Sequence, residues 1–212
     1  EAEERIYEGE TPGVSYGDIA ERYYTVGQYM KEVKDVSKAM AAAGDSYICD
    51  EYLNAMGSPE AESVYVLHDL NNDGIEEFFI GLKFNYDIPY YVIYDVYTWK
   101  DGRAYQLMRG IGYRNGSCKI CENGVIEDNY SGSAWDGQTL YHILPEGGIE
   151  LETIDSVSSR RDGTVQSYYH WNELIDENTL QTILEQYQPE SVTYVDCNRE
   201  TIEQLRLSGI RK

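Results

Sequence analysis

Residues 68–80 read His68-Asp-Leu-Asn-Asn-Asp-Gly-Ile-Glu-Glu-Phe-Phe-Ile80, and what flanks this acidic turn decides the fold. Ser63-Val-Tyr-Val-Leu67 precedes it, and Glu76 to Leu82 follows with Phe78 and Ile80 on alternating positions. Both flanks carry the period of two of a half-buried strand, so the turn joins two strands rather than two helices. Within it Asp69, Asn71 and Asp73 place oxygen-bearing side chains on every second residue, Gly74 stands where a sharp turn is needed, and Glu77 follows. Short oxygen ligands at that spacing can wrap a hard cation such as calcium. The same residues can also close a metal-free hairpin, with Asp69 and Asn71 bonding to nearby backbone amides as Asx-turns.

Outward from this turn, residues 61–171 are punctuated by Asp73-Gly74, Asp101-Gly102, Asn115-Gly116, Asn123-Gly124, Asp136-Gly137, Glu146-Gly-Gly148 and Asp162-Gly163. Between them lie runs rich in Tyr, Val, Ile and Thr, such as Tyr90 to Trp99 and Thr139 to Leu144. The pattern predicts an antiparallel β-meander of about eight or nine strands, because the connections are too short for helical crossovers. Upstream, Ile19, Tyr23, Val26, Met30, Val33, Ser37 and Met40 recur at three and four residues, which predicts one helix from Gly17 to Gly44. A shorter helix over 45–56 carries Ile48, Tyr52 and Met56 on one face. Downstream, Asp176 can cap a helix with Leu180, Ile183, Leu184 and Tyr187 on one face, and Asn198 can cap a last one over 199–207. The expectation is an α+β fold: a single domain over 15–212, with helices in 17–56, the meander in 61–171 and a helical end in 176–208. Glu1 to Val14, with five glutamates and few apolar groups, reads as an acidic tether left after removal of an export signal or a lipid-anchor segment.

The strand-flanked D-x-N-x-D-G-x-x-E loop resembles the calcium loops of FG-GAP and VCBS-type repeats of extracellular proteins. That resemblance implies a structural calcium ion, with Asp69, Asn71, Asp73 and Glu77 as side-chain ligands and the Ile75 carbonyl as a backbone ligand. An EF-hand is excluded, since its twelfth position would need a bidentate Glu and here holds Ile80. Only one copy of the loop is found, so a propeller is not expected. The wider layout is similar to secreted or lipid-anchored proteins of gut-type Gram-positive bacteria. The shared parts are the N-terminal helix, the 69–77 loop, a turn at Tyr97 to Gly102, and Tyr169-His-Trp171 before a closing helix. These motifs are structural; they imply an extracellular or cell-surface location and no known reaction.

Lys and Arg number 17 against 38 Asp and Glu, a net charge of −21 that argues against nucleic acid and anionic membrane surfaces as partners. It suits an extracellular medium containing divalent cations. No apolar run approaches the length of a membrane span. Tyrosine, at 21 residues against 3 Phe and 3 Trp, can fill strand positions or furnish a face for a glycan, peptide or protein. Tyr130 and Trp135 flank the small-residue stretch Ser131-Gly-Ser-Ala134 and are the candidate ligand-binding residues. The competing reading has Trp135 folding back to cap the sheet. Glu127, Asp128 and Asp136 form a local acidic cluster beside them.

No nucleophile elbow, zinc-binding H-E-x-x-H, phosphate loop or dinucleotide fingerprint occurs, and no catalytic residue is assigned. His68, His142 and His170 are scattered, and His142 and His170 fall on strand-like runs. Cys118-Lys-Ile-Cys121 precedes a hairpin turn and reads as a strand, which holds the two Cα atoms about 10 Å apart, beyond disulfide reach. Cys49 and Cys197 lie in the flanking helical regions, where a bridge between them is open. The expectation is a non-catalytic exported cell-surface domain with a structural calcium-type loop and a ligand- or partner-binding role. The alternatives are a carbohydrate-active or peptide-cleaving enzyme using paired carboxylates, or a purely structural interaction module.

Overall fold

A computed structural model describes residues 6–10, 15–43, 48–112, 118–131, 135–144, 149–158 and 166–208. In chain order the elements begin with β1 (Ile6–Glu10), α1 (Tyr16–Val33), α2 (Val36–Ala43), α3 (Asp50–Met56), β2 (Ala61–His68), β3 (Glu77–Phe84), β4 (Tyr90–Lys100) and β5 (Arg103–Arg109). They continue with β6 (Cys118–Cys121), β7 (Val125–Ser131), β8 (Trp135–Ile143), β9 (Ile149–Ser158), β10 (Gln166–His170), β11 (Glu173–Ile175), α4 (Glu177–Leu184), β12 (Val195–Asp196) and α5 (Arg199–Ser208). The α+β class holds. The expectation of one meander of eight or nine strands does not, because the strands form two antiparallel six-stranded sheets. The chain divides into two compact units, one of Glu1–Asp69, Gly74–Ile111 and Val192–Lys212, the other of Leu70–Asp73 and Gly112–Ser191.

The sheet of the first unit runs β1-β5-β4-β3-β2-β12. Ile6–Glu10, expected within the tether, pairs as β1 along β5. Helix α1 opens on a capping box, in which the Ser15 hydroxyl accepts from the Asp18 amide at 3.2 Å and Asp18 Oδ2 accepts from the Ser15 amide at 3.1 Å. The single helix expected over 17–44 is broken at Lys34, which takes a left-handed φ of 53° and returns its N–H to the Met30 carbonyl. The buried stripe of α1 (Ile19, Tyr23, Val26, Met30) joins Tyr52 and Leu53 of α3 and Tyr65, Phe78, Ile80 and Tyr97 of the sheet in one core. Gly81 marks a bulge between β3 and β4: a Cβ there would stand 2.1 Å from the Val92 carbonyl oxygen, so no other residue fits.

Many tyrosines lie in this core rather than half-exposed on a sheet, and their hydroxyls are used. Tyr23 OH donates to Asp95 Oδ2 and meets Tyr97 OH at 3.0 Å, while Gln106 Nε2 donates to Tyr97 OH at 3.1 Å. Asp95 Oδ1 accepts from the Gly110 amide at 3.0 Å. Tyr52 OH donates to the Tyr23 carbonyl at 3.2 Å and shares a 2.6 Å bond with Ser63 Oγ. Burial drives the Asp95 carboxyl up to about 6, although the hydrogen bonds from Tyr23 and Gly110 pull it back. Cys49 and Cys197 are both free and buried: Cys49 Sγ caps α3 at the Tyr52 amide (3.4 Å), and Cys197 Sγ donates to the Ala20 carbonyl (3.8 Å). The bridge left open for them is not formed.

The sheet of the second unit, β11-β10-β9-β8-β7-β6, follows chain order and is a meander in itself. Register places three rows on one face: Val125–His142–Glu150, Glu127–Leu140–Glu152, and Asn129–Gln138–Ile154–His170. Asp176 caps α4 by accepting the Thr179 amide at 2.7 Å. The helix lays Leu180, Ile183 and Leu184 on that face, against Cys121, Val125, Leu140, Ile154 and Tyr168. Past α4 the chain returns along the outer edge of β6, with Glu122 N to Gln188 O at 3.0 Å and Glu190 N to Ile120 O at 2.8 Å. Cys118 and Cys121 lie in one strand as expected, and both are free.

Candidate functional site

The 69–77 loop closes as a tight turn. Asn72 and Gly74 take left-handed φ values of 58° and 86°. In the first unit Asp69 Oδ2 accepts the Gly74 amide at 2.9 Å. In the second, Asn71 Oδ1 accepts the Asp73 amide at 3.2 Å, and Asn71 Nδ2 donates to Asp73 Oδ2 and to the Leu144 carbonyl, both at 3.1 Å. Of these, the Asn71–Asp73 bond is the Asx-turn weighed from the sequence, while Asp69 reaches a backbone amide five residues on. Glu77 stands at the start of β3, fully buried, and accepts a 3.0 Å bond from Thr98 Oγ1. The donor set, all oxygen, and the turn conformation fit calcium chemistry. Among the described residues, however, no three His, Cys, Asp or Glu side chains converge as a ready-made metal cluster.

Tyr130 and Trp135 fall on paired strands, Tyr130 opposite Gly137 and Trp135 opposite Val157. Their side chains, residues 132–134 and the Asp136 side chain lie outside the described residues. The neighbouring acids face inward. Asp128, fully buried, accepts the Gly112 amide at 3.0 Å. Glu127 gathers Lys119 Nζ at 3.0 Å, Asn129 Nδ2 at 2.6 Å and Gln138 Nε2 at 3.4 Å on one oxygen.

What the sequence reading missed lies on the α4-covered face. Glu152 sits in the middle row, and the two histidines occupy the rows on either side of it on flanking strands, within diagonal reach. His142 Nε2 is 2.9 Å from Glu152 Oε2, and His170 Nε2 is 2.7 Å from Oε1. Tyr187, just past α4, donates to Oε2 at 2.8 Å and sets its ring edge-on to His142, centroids 5.7 Å apart. Burial pushes the Glu152 carboxyl up, but the hydrogen bonds from Tyr187, His170 and His142 outweigh it and hold the group below the usual carboxylate range. Burial and the adjacent Glu152 push the Tyr187 hydroxyl up to about 12. An ionised carboxylate only accepts, so each imidazole carries its proton on Nε2 when neutral and keeps its lone pair on Nδ1. Both rings remain a quarter exposed.

His170 leads into the two-residue turn Trp171-Asn172, which joins β10 to β11 with left-handed φ values of 52° and 64°. That geometry favours Asn and Gly; a tryptophan in it costs of the order of 1 kcal/mol or more. The indole is nonetheless half exposed, 6.0 Å from the His170 ring and tilted to it by 42°. No sequence signal marked the cluster, because its members come from separate strands and only register unites them; a Trp before Asn at a two-residue turn was the one visible irregularity.

In the first unit the β3–β4 hairpin also exposes apolar side chains: Tyr86 (50%), Ile88 (84%) and Tyr90 (47%), with both tyrosine rings stacked near-parallel to Phe84. Among the described residues no helix is long and apolar enough to cross a membrane. Compared with models of known families, with curated proteins and with solved structures, the chain matches none.

Proposed function

We propose that this chain is a non-catalytic, exported cell-surface domain that binds a ligand or partner and uses its 69–77 loop as a structural calcium site. The observation that carries the binding role is the display of large apolar side chains at hairpin turns: Tyr86, Ile88 and Tyr90 on β3–β4, and Trp171 on β10–β11. A loop held by a rigid sheet is a common seat for recognition, and exposed aromatic rings are what such sites use. The calcium role draws support from the alternating oxygens and the left-handed turn at Asn72 and Gly74. Export and a surface location, with or without a lipid anchor, draw support from the acidic balance of −21.

Arrays of glycans and of peptides, probed with and without calcium, test the binding role; silence on both removes it. The metal role has its own measurement. An ion that binds only the native state raises stability by about 2.7 kcal/mol at a hundredfold excess over its Kd. Millimolar calcium should therefore raise Tm, and Asp73→Ala should abolish the rise. An unchanged Tm in the wild-type protein would leave the loop as a metal-free Asx-turn hairpin.

A second reading is glycoside cleavage. Glu127 and Glu152 share a face and a row, with Cα atoms about 10 Å apart across two strand spacings. Two acids on one face are the elements such hydrolases use, one as general acid and the other as base or nucleophile. Release of reducing ends from a bound oligosaccharide, lost in Glu127→Gln, would favour it over simple binding.

A further inference from the structure

We infer that Trp171 and His170, the latter oriented by the Glu152 carboxylate, form a binding site for a neutral pyranose unit of a glycan. The inference rests on the ligand-binding reading above and assigns it a place and a ligand chemistry. The first ground is the turn. Trp171 holds a left-handed backbone that glycine or asparagine would adopt without strain, and its ring is half exposed rather than buried in compensation. Strain kept at a residue that leaves half of its surface to solvent points to a role for the side chain itself.

The second ground is the neighbouring polar group. Glu152 already receives His142, His170 and Tyr187, so a cationic ligand meets a carboxylate whose oxygens are engaged by protein donors. What the cluster offers is the Nδ1 edge of His170, an acceptor when the ring is neutral and a donor when it is charged. A pyranose supplies both halves of this chemistry, an apolar C–H face for the indole and hydroxyls, which donate and accept, for the imidazole. The 6.0 Å between the His170 and Trp171 rings lets one sugar ring touch both. The net charge of −21 selects against uronic and sialic acids and leaves neutral sugars.

The test is an array of neutral gluco-, galacto-, manno- and N-acetylhexosamine oligosaccharides beside acidic glycans and peptides, followed by calorimetric titration of the best neutral hit. Wild-type protein should bind a neutral glycan, with a shift in tryptophan fluorescence. Trp171→Gly should lose roughly tenfold or more in affinity, the scale of one aromatic contact, while its Tm holds or rises because the turn is relaxed. Trp171→Phe, which restores an aromatic face, should recover part of the binding. Retained binding in Trp171→Gly overturns the inference. So does a fall in its Tm by several degrees, which would make the indole a packing residue. Binding to peptides or acidic glycans alone refutes the sugar site but preserves the ligand-binding reading; no binding to any probe removes both.

Discussion

In the first unit the carboxylate Asp95 is shut away completely, reached by Tyr23 from helix α1 and by the Gly110 amide. In the second, Glu152 is held by two histidines that remain a quarter exposed and by a tyrosine at the end of a short helix. The sheets match in strand number and in antiparallel pairing. They differ in cover: α1 and α3 contribute a broad aromatic core to the first, whereas α4 lays two turns on the second. The same device, a carboxylate satisfied by aromatic and polar donors, is therefore structural where helices seal it and reachable where they do not.

The strongest way to break this contrast is to empty each core in turn. Phe78 is fully buried and ringed by Tyr16, Tyr65 and Tyr97 at 5.1, 5.6 and 6.1 Å. Phe78→Ala should cost about 3–5 kcal/mol, and Leu180→Ala, on a helix whose site borders solvent, about 2 kcal/mol. Equal losses in denaturant melts would show that the two cores are sealed alike.

The next test concerns acid. Because burial raises Asp95 to about 6, its contribution to stability is fully present below about pH 4, the unfolded value, and is lost as pH rises through about 6. The two-unit shift corresponds to roughly 3 kcal/mol. Asp95→Asn, which keeps an acceptor for Gly110 and cannot ionise, should flatten that decline. Unfolding free energies of the two proteins that run parallel from about pH 4 to about pH 7 would show that Asp95 does not titrate with folding.

Glu152 should behave with the opposite sign and a smaller size. Its carboxyl is held low, so its contribution is present above the ordinary carboxylate range and is lost as pH falls through its folded value. Glu152→Gln should cost about 1–2 kcal/mol near neutrality, the worth of charge-assisted hydrogen bonds, and remove part of the acid-side loss. A neutral effect in thermal melts would mean that α4 stays docked without this latch.

The sequence was most legible where a local chemical rule governs. Asp101-Gly102 and Asn123-Gly124 form the expected tight turns, each with both residues at positive φ, and Asp176 and Asn198 cap their helices. The Lys34 break was hidden because apolar residues at 33, 36 and 40 continue the helical period across it, with no Gly or Pro to mark a stop. The division into two sheets was hidden for another reason. A turn reads the same whether the next strand pairs with the last one or begins a new sheet, and β6 does the latter. His142, Glu152, His170 and Tyr187 span 46 positions of chain from first to last, so their meeting is a product of register that no local pattern carries.

The ends of the two sheets bear on how this protein behaves in a crowd. An open strand edge is a template for another chain. Here β12 has two residues and β11 three, β1 is broken by a register shift before Gly9, and the 188–190 segment runs along β6. With 38 acidic side chains adding mutual repulsion, these outermost strands give neighbouring copies little purchase for fusing edge to edge.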